Sequence, residues 1–419
     1  MNAPSNSFRG SFLGALLVAA SFAAPAADWP GWRGIARDGH ARDPLPSSFA
    51  GVDRPVWKKT VGHGYSSPVV SGGRLVYLDD AGGRETVHCL EATTGRELWT
   101  NAFAELFTDE FEPGPRCTPL VADGKVYVQS CYGEFACLDL KDGTRRWGFH
   151  FKDFGATWVK DRSGGPGAAS RRGHSGAPWV DGNRVVVQVG STNGASLVAF
   201  DTATGRLLWK SQDDLTCYSS LVAATLGGRR QAVAVTCEGF LGVDLQDGSP
   251  LWRVPFRTGA NRNVLTPIVD GDTVTFASHT TGLRRLRIEP AGPTNRPVEA
   301  WFNRDLRINL ATPVQVAGHL YGMGATRDFV CVEASTGKVL WKQPGFDQYA
   351  STIASGGRLL VLNDAGEAIL LEADPAKYSE LGRFQACGKT FSHPALADGM
   401  LITRDPKEIA AWALGPSAR

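Results

Sequence analysis

A phrase of twelve residues recurs along this chain and always ends on tryptophan. It reads HCLEATTGRELW at His88–Trp99, ACLDLKDGTRRW at Ala136–Trp147, VAFDTATGRLLW at Val198–Trp209, LGVDLQDGSPLW at Leu241–Trp252 and VCVEASTGKVLW at Val330–Trp341. Such a repeat restricts a chain to solenoids, propellers and related arrays, because one unit cannot bury its apolar surface without neighbours. Within the phrase, apolar residues alternate up to an acidic position, which is strand chemistry. The Thr-Gly or Asp-Gly pair that follows supplies the positive φ of a tight hairpin. A second hairpin precedes the phrase, as in TPLVADGKVYVQS at Thr118–Ser130 and APWVDGNRVVVQV at Ala177–Val189. Each unit therefore offers four short antiparallel strands.

The terminal tryptophans set the period. The steps from Trp57 through Trp99, Trp147, Trp209, Trp252 and Trp301 to Trp341 are 42, 48, 62, 43, 49 and 40 residues, and a seventh unit ends near Phe384. The remainder, Phe391–Leu414, holds three strands, and PVWKKT (Pro55–Thr60) supplies the missing fourth from the other end. That closure removes the last open sheet edge. The expected fold is all-β: an eight-bladed β-propeller of four-stranded antiparallel blades, the last closed by an N-terminal strand. The repeated tryptophans are expected to cover the interface with the next blade.

The start of the chain reads as an export signal. One positive charge, Arg9, precedes the apolar run Phe12–Ala24, and Ala24-Pro25-Ala26 fits a small-residue cleavage site. The run is short of the roughly 20 residues a membrane span needs, and no cysteine follows it for lipid attachment. The expected organisation is a signal peptide at 1–26, an extension at 27–54, a single propeller at 55–414 and a tail at 415–419, in a periplasmic or secreted monomer with no transmembrane segment once processed. A net charge of +2 over 419 residues argues against nucleic acid or an anionic membrane as partner.

AFDTATGRLLW and CLEATTGRELW resemble the repeat of the pyrroloquinoline-quinone-like (PQQ-like) β-propellers, a superfamily that includes quinoprotein alcohol dehydrogenases and the outer-membrane assembly factor BamB. The opening WPGWRGIARDGHA (Trp29–Ala41) looks like exported propellers that begin with a Trp-Pro-x-Trp-Arg-Gly segment. The resemblance covers essentially everything after the signal peptide. It implies the fold more strongly than an activity. The adjacent cysteine pair that the dehydrogenases place over their quinone does not occur, no motif places a calcium set, and C-x-x-C-H for haem is absent. No metal site and no cofactor is therefore expected, and PQQ with calcium belongs to the alternative reading only.

The innermost strand of each blade should line the channel. Aligned on the inner Pro or its equivalent, the preceding residues are Ser67, Thr118, Ala177, Ser219, Thr266, Thr312, Ser351 and His393. Small side chains are what a tapering interior admits. A ligand role for them is the alternative, and His393, the one titratable member, could serve as base or metal ligand near neutral pH. Larger polar residues enter just before this ring: Arg116, His174, Arg262, Asn263, Arg307, Asn309 and Tyr349. Converging on one mouth, they would suit an anionic or hydroxyl-rich ligand through guanidinium forks and aromatic stacking. Alternatively, each arginine pairs with a carboxylate such as Asp109, Glu110 or Glu112. The insertion at 148–176, with Trp158 among Lys152, Lys160, Arg162, Arg171 and Arg172, reads either as a site for glycan or an acidic partner or as a solvated loop.

Eight cysteines fall into two kinds. Cys89, Cys137 and Cys331 share one place in the phrase and are expected as buried thiols acting as small hydrophobes. Cys117 with Cys131, and Cys217 with Cys237, sit near facing ends of two hairpins and are expected to close as disulfides in an oxidising compartment.

The function expected is a non-enzymatic binding or scaffolding module with a protein, glycan or small anionic ligand at the channel mouth. The alternative is a quinone- or metal-dependent oxidoreductase with an atypical site.

Overall fold

The computed structural model describes Met1 and residues 27–109, 112–156, 172–258, 262–278 and 280–415. Most of the expected signal peptide, Glu110, Trp158, Lys160, Arg162 and Arg171 lie outside them. Eight four-stranded antiparallel sheets follow one another. Blades 1 to 7 are built within Val69–Glu105, Leu120–His150, Trp179–Ser211, Val222–Pro255, Ile268–Asn303, Val314–Gln343 and Ala350–Gln385. Blade 8 takes three strands from Ala395–Ala413 and its outer strand from Trp57–Thr60, which pairs with Glu408–Ala411. The closure expected from PVWKKT is present. Among the described residues no helix is long and apolar enough to cross a membrane.

The alternation in the sequence is weaker than a half-buried sheet would give, and the packing explains why. Blades stack face to face, so the second and third strands are covered on both sides. Leu75, Val76, Tyr77 and Leu78 are consecutive and all buried. Alternation shows on outer strands such as Trp57–Thr60 and on the innermost strand of blade 4, Val222–Leu226. The five tryptophans that end the repeated phrase face a small residue across the third and fourth strands: Trp99 opposite Cys89, Trp147 opposite Cys137, Trp341 opposite Cys331, Trp209 opposite Ala199 and Trp252 opposite Gly242, whereas Trp301 faces Arg285. The register shifts immediately after each pairing. Such a bulge turns the strand and re-aims the side chain beside it. The recurring cysteine is thus the small partner of the tryptophan.

Each indole then reaches forward one blade. Nε1 of Trp57, Trp99, Trp147, Trp209, Trp301 and Trp341 donates to a backbone carbonyl of the following blade, at 2.9–3.3 Å. Two seams differ. Trp252 donates within its own blade to Gln231 Oε1, while Gln231 Nε2 reaches Asn295 in blade 5. Phe384 packs on Trp412 of blade 8, with ring centroids 4.9 Å apart.

Residues 29–41 fill one end of the channel. Trp29 pairs with Val70 of blade 1, and Pro30 accepts from Val121 of blade 2. Arg37 donates to the carbonyls of Ala177 and Pro178 beside blade 3 and of Leu221 beside blade 4. Trp32 donates to Thr266 Oγ1 before blade 5 at 2.9 Å. Arg33 donates to Thr312 O and Pro313 O before blade 6, Gly39 and Ala41 pair with Ala354 of blade 7, and Trp29 stacks on His393 before blade 8. The extension expected only as a leader to the propeller is a plug tied to every blade.

Candidate functional site

The plug leaves a blind cavity of ≈ 450 Å³ at the other end of the channel. Trp32 is the plug residue exposed to it, and the walls come from the crossings that enter each inner strand. Tyr65, Arg116, Ser175, Val264, Leu310, Tyr349 and Phe391 each stand two residues before a ring position and line the cavity. Before blades 2 and 3 the ring residue, Thr118 or Ala177, lines the cavity together with the residue two before it, as strand alternation would place them.

Three arginines reach this wall. Arg116 Nη2 donates to Asp109 at 2.7 Å and to Glu112 O at 3.2 Å, and its guanidinium lies 4.9 Å from the Phe107 ring centroid. Arg172 Nη1 reaches the other Asp109 oxygen at 3.1 Å. Arg262 Nη2 donates to Asn309 Oδ1 at 3.2 Å. Among the described residues the carboxylate pairing considered for these arginines is formed at Asp109, which two of them share. Among the described lining residues the charged ones are arginines. That donor chemistry does not fit calcium, which is held by several oxygen ligands with carboxylates among them. Among the described residues no group of three His, Cys, Asp or Glu is placed to hold a metal ion.

Arg116, Arg262, Asn309 and Tyr349 line the cavity together, with the Tyr349 hydroxyl 2.6 Å from Ser351 Oγ. Four candidates do not. Arg307 is exposed and turned back on Arg304 O, because Leu306 and Ile308 beside it are buried and force it outward. Asn263 is buried behind the wall, donating to Thr236 O at 2.9 Å. His174 is also buried, its ring edge-on to Phe151, and burial pulls its pKa down to about 4. His393 lies between Trp29 and Trp32 and donates from Nδ1 to Pro394 O. Burial, then Arg33, pulls its pKa down to about 3, so it is neutral at pH 7 and docks the plug rather than titrating there.

The remaining ring residues lace blades together. His393 N donates to Ser67 Oγ, Ser219 Oγ to Leu265 O and Thr266 N to Thr312 Oγ1. Sequence reasoning missed Tyr65, Tyr218 and Phe391 as lining residues and placed Arg172 in the insertion. Reading two residues back from the ring would have found Tyr65 and Phe391.

The cysteine expectations need correction. All eight are free thiols, and neither expected disulfide is formed. Thr216 pairs with Thr236, which sets Cys217 and Cys237 diagonally across the ladder; their thiols donate to Val235 O and Thr216 O instead. Cys117 and Cys131 do meet, in a buried cluster with Phe107.

A family model described as outer membrane protein assembly factor BamB matches residues 50–173 and 155–343. The chain belongs to this BamB-like family of PQQ-like propellers. The BamB of Xanthomonas campestris pv. campestris is 24% identical over 385 residues, covering 76% of this chain and 86% of the relative. The BamB of Burkholderia pseudomallei is 26% identical over 266 residues, covering 52% of this chain and 63% of the relative. Among solved structures, Moraxella catarrhalis BamB is 15% identical with a TM-score of 0.57, covering 85% of this chain and 97% of that one. A quinohemoprotein alcohol dehydrogenase from Pseudomonas putida HK5 is 14% identical with a TM-score of 0.60, covering 94% and 81%. At such identities the two structures speak to fold alone.

Proposed function

We propose that this BamB-like propeller is a non-enzymatic binding module of the periplasm or cell exterior, and that the cavity receives an anionic group of a ligand or partner protein. The observation that carries the reading is the lining itself: Arg116, Arg172 and Arg262 among Tyr65, Tyr218, Tyr349 and Phe391, around a space closed below by the plug. Guanidinium forks and aromatic faces in one sheltered site favour a carboxylate or phosphate attached to a flat or apolar body. Relatives named as assembly factors support a scaffolding role, and the leader read at 1–26 supports export.

The test is thermal melting of the chain with citrate, with an acidic peptide, and with PQQ plus calcium. A probe at a hundredfold its dissociation constant adds about 2.7 kcal/mol to the native state. We expect the acidic probes to raise the melting temperature and Arg262→Ala to abolish the rise. A shift with PQQ and calcium alone would overturn the reading in favour of the oxidoreductase.

A further inference from the structure

We propose that Cys117 and Cys131 are a dithiol that closes to a disulfide under oxidising conditions and braces the Arg116 edge of the cavity. The inference is independent of what the cavity binds. Both sulfurs lie in one buried cluster roofed by Phe107 and Tyr132. Cys117 and Cys131 pack against each other there, with the Arg116 backbone N–H and guanidinium beside the Cys131 sulfur. Burial works against a charge on Cys131, but the neighbouring Cys117 thiol and the Arg116 guanidinium outweigh it and pull its pKa down, whereas burial and the Cys131 neighbour push Cys117 up. One sulfur is thus set up as the nucleophile and the other as its resolving partner. Cys217 and Cys237 are instead set diagonally across their ladder, and burial pushes both thiols up.

The surroundings tolerate the bond. The single Cys117 S–H points to His174 O at 2.8 Å, and that carbonyl keeps a second donor, Gln129 Nε2 at 3.0 Å, when the thiol hydrogen is lost. Cys131 O accepts from His174 N at 2.9 Å, so the bridge would tie the Arg116 crossing to the segment carrying Arg172 and Ser175. The oxidant is a small disulfide such as oxidised glutathione. The Cys131 thiolate attacks one of its sulfurs and expels a thiolate. Cys117 gives up its proton and attacks Cys131 Sγ of the mixed disulfide, expelling the second. Two protein thiols become one disulfide, and one small disulfide becomes two thiols. Because both sulfurs are buried, exchange proceeds while the chain folds or opens locally.

The full chain is refolded with oxidised and reduced glutathione, then denatured, alkylated and mapped by mass spectrometry. We expect two of the eight thiols to escape alkylation and one cross-linked peptide pair carrying Cys117 and Cys131. Cys217→Ser should keep that pair, and Cys117→Ser should leave every remaining thiol alkylated. Reduction of the bridged protein should lower its melting temperature. Eight alkylated thiols in folded protein, or a bridge through Cys217 or Cys237, would overturn the proposal.

Discussion

The indole of Trp99 lies over Gly143 of the next blade, so close that a Cβ on the glycine would sit 2.5 Å from the ring. The same contact joins Trp57 to Gly95, Trp147 to Gly205, Trp209 to Gly248 and Trp301 to Gly337, at 2.5–2.7 Å. The two fixed letters of the repeated phrase, glycine and tryptophan, are therefore partners across seams and not within a unit. Glycine is required twice, for its positive φ and for the room it leaves.

That double requirement predicts a contrast. Gly143→Ala meets both a φ of +75° and the Trp99 ring, whereas Gly72→Ala meets a φ of +57° and nothing within 4 Å. Left-handed backbone alone costs about 1–2 kcal/mol, and overpacking adds about 1–3 kcal/mol. Urea unfolding midpoints should fall clearly further for Gly143→Ala than for Gly72→Ala; equal shifts would remove the inter-blade dock from the argument.

Arg37→Ala tests the plug. The guanidinium holds carbonyls beside two adjacent blades, and a buried acceptor left unmade costs about 1–3 kcal/mol. We expect a loss of several degrees in melting temperature and faster quenching of the plug tryptophans by acrylamide. An unchanged melt and unchanged quenching would mean that the plug is held without it.

Much of the design was legible from sequence. The phrase marks third and fourth strands, its spacing counts the blades, and PVWKKT betrays the closure because one unit falls a strand short. The plug was illegible because Arg33 and Arg37 bind main-chain carbonyls, which carry no letter in the sequence. Arg307 was misplaced because proximity along a crossing was read without its burial: Arg307 stands exposed between buried Leu306 and Ile308, whereas Asn309 lines the mouth.

Two buried histidines set an acid limb. The pKa of His174 falls to about 4 and that of His393 to about 3, each from an ordinary 6.5, with burial the main cause. Below pH 6.5 the unfolded chain binds protons that the fold refuses, so stability drops as pH falls from 6.5 toward 4. His393→Gln should flatten that slope of melting temperature against pH, whatever it does to the melting temperature at pH 7. A slope equal to that of the unaltered chain would contradict the assignment.

Glu85 behaves in the opposite sense. It is fully buried, accepts only a long bond from Phe107 N at 3.3 Å, and burial raises its pKa well above the ordinary value. A raised carboxyl favours the fold at low pH, and its contribution is lost as pH rises through the folded pKa. Glu85→Gln should therefore stabilise the protein by about 1–3 kcal/mol at pH 8, with the gain vanishing below pH 4.5. A loss at pH 8 would mean that the charged carboxylate is needed there.

The strand shared between the two ends fixes an order of assembly. Synthesis delivers Trp57–Thr60 before the seven blades that separate it from its partner Glu408–Ala411, so the keystone of the ring arrives only after all of them have been made. Until then seven blades can stack while the early strand waits without a mate. A product cut short before residue 408 shows raw edges on both sides of the gap, and such edges invite pairing with other chains. The ring thereby proofreads its own closure: only a chain that already carries the strand Glu408–Ala413 can give Trp57–Thr60 its mate.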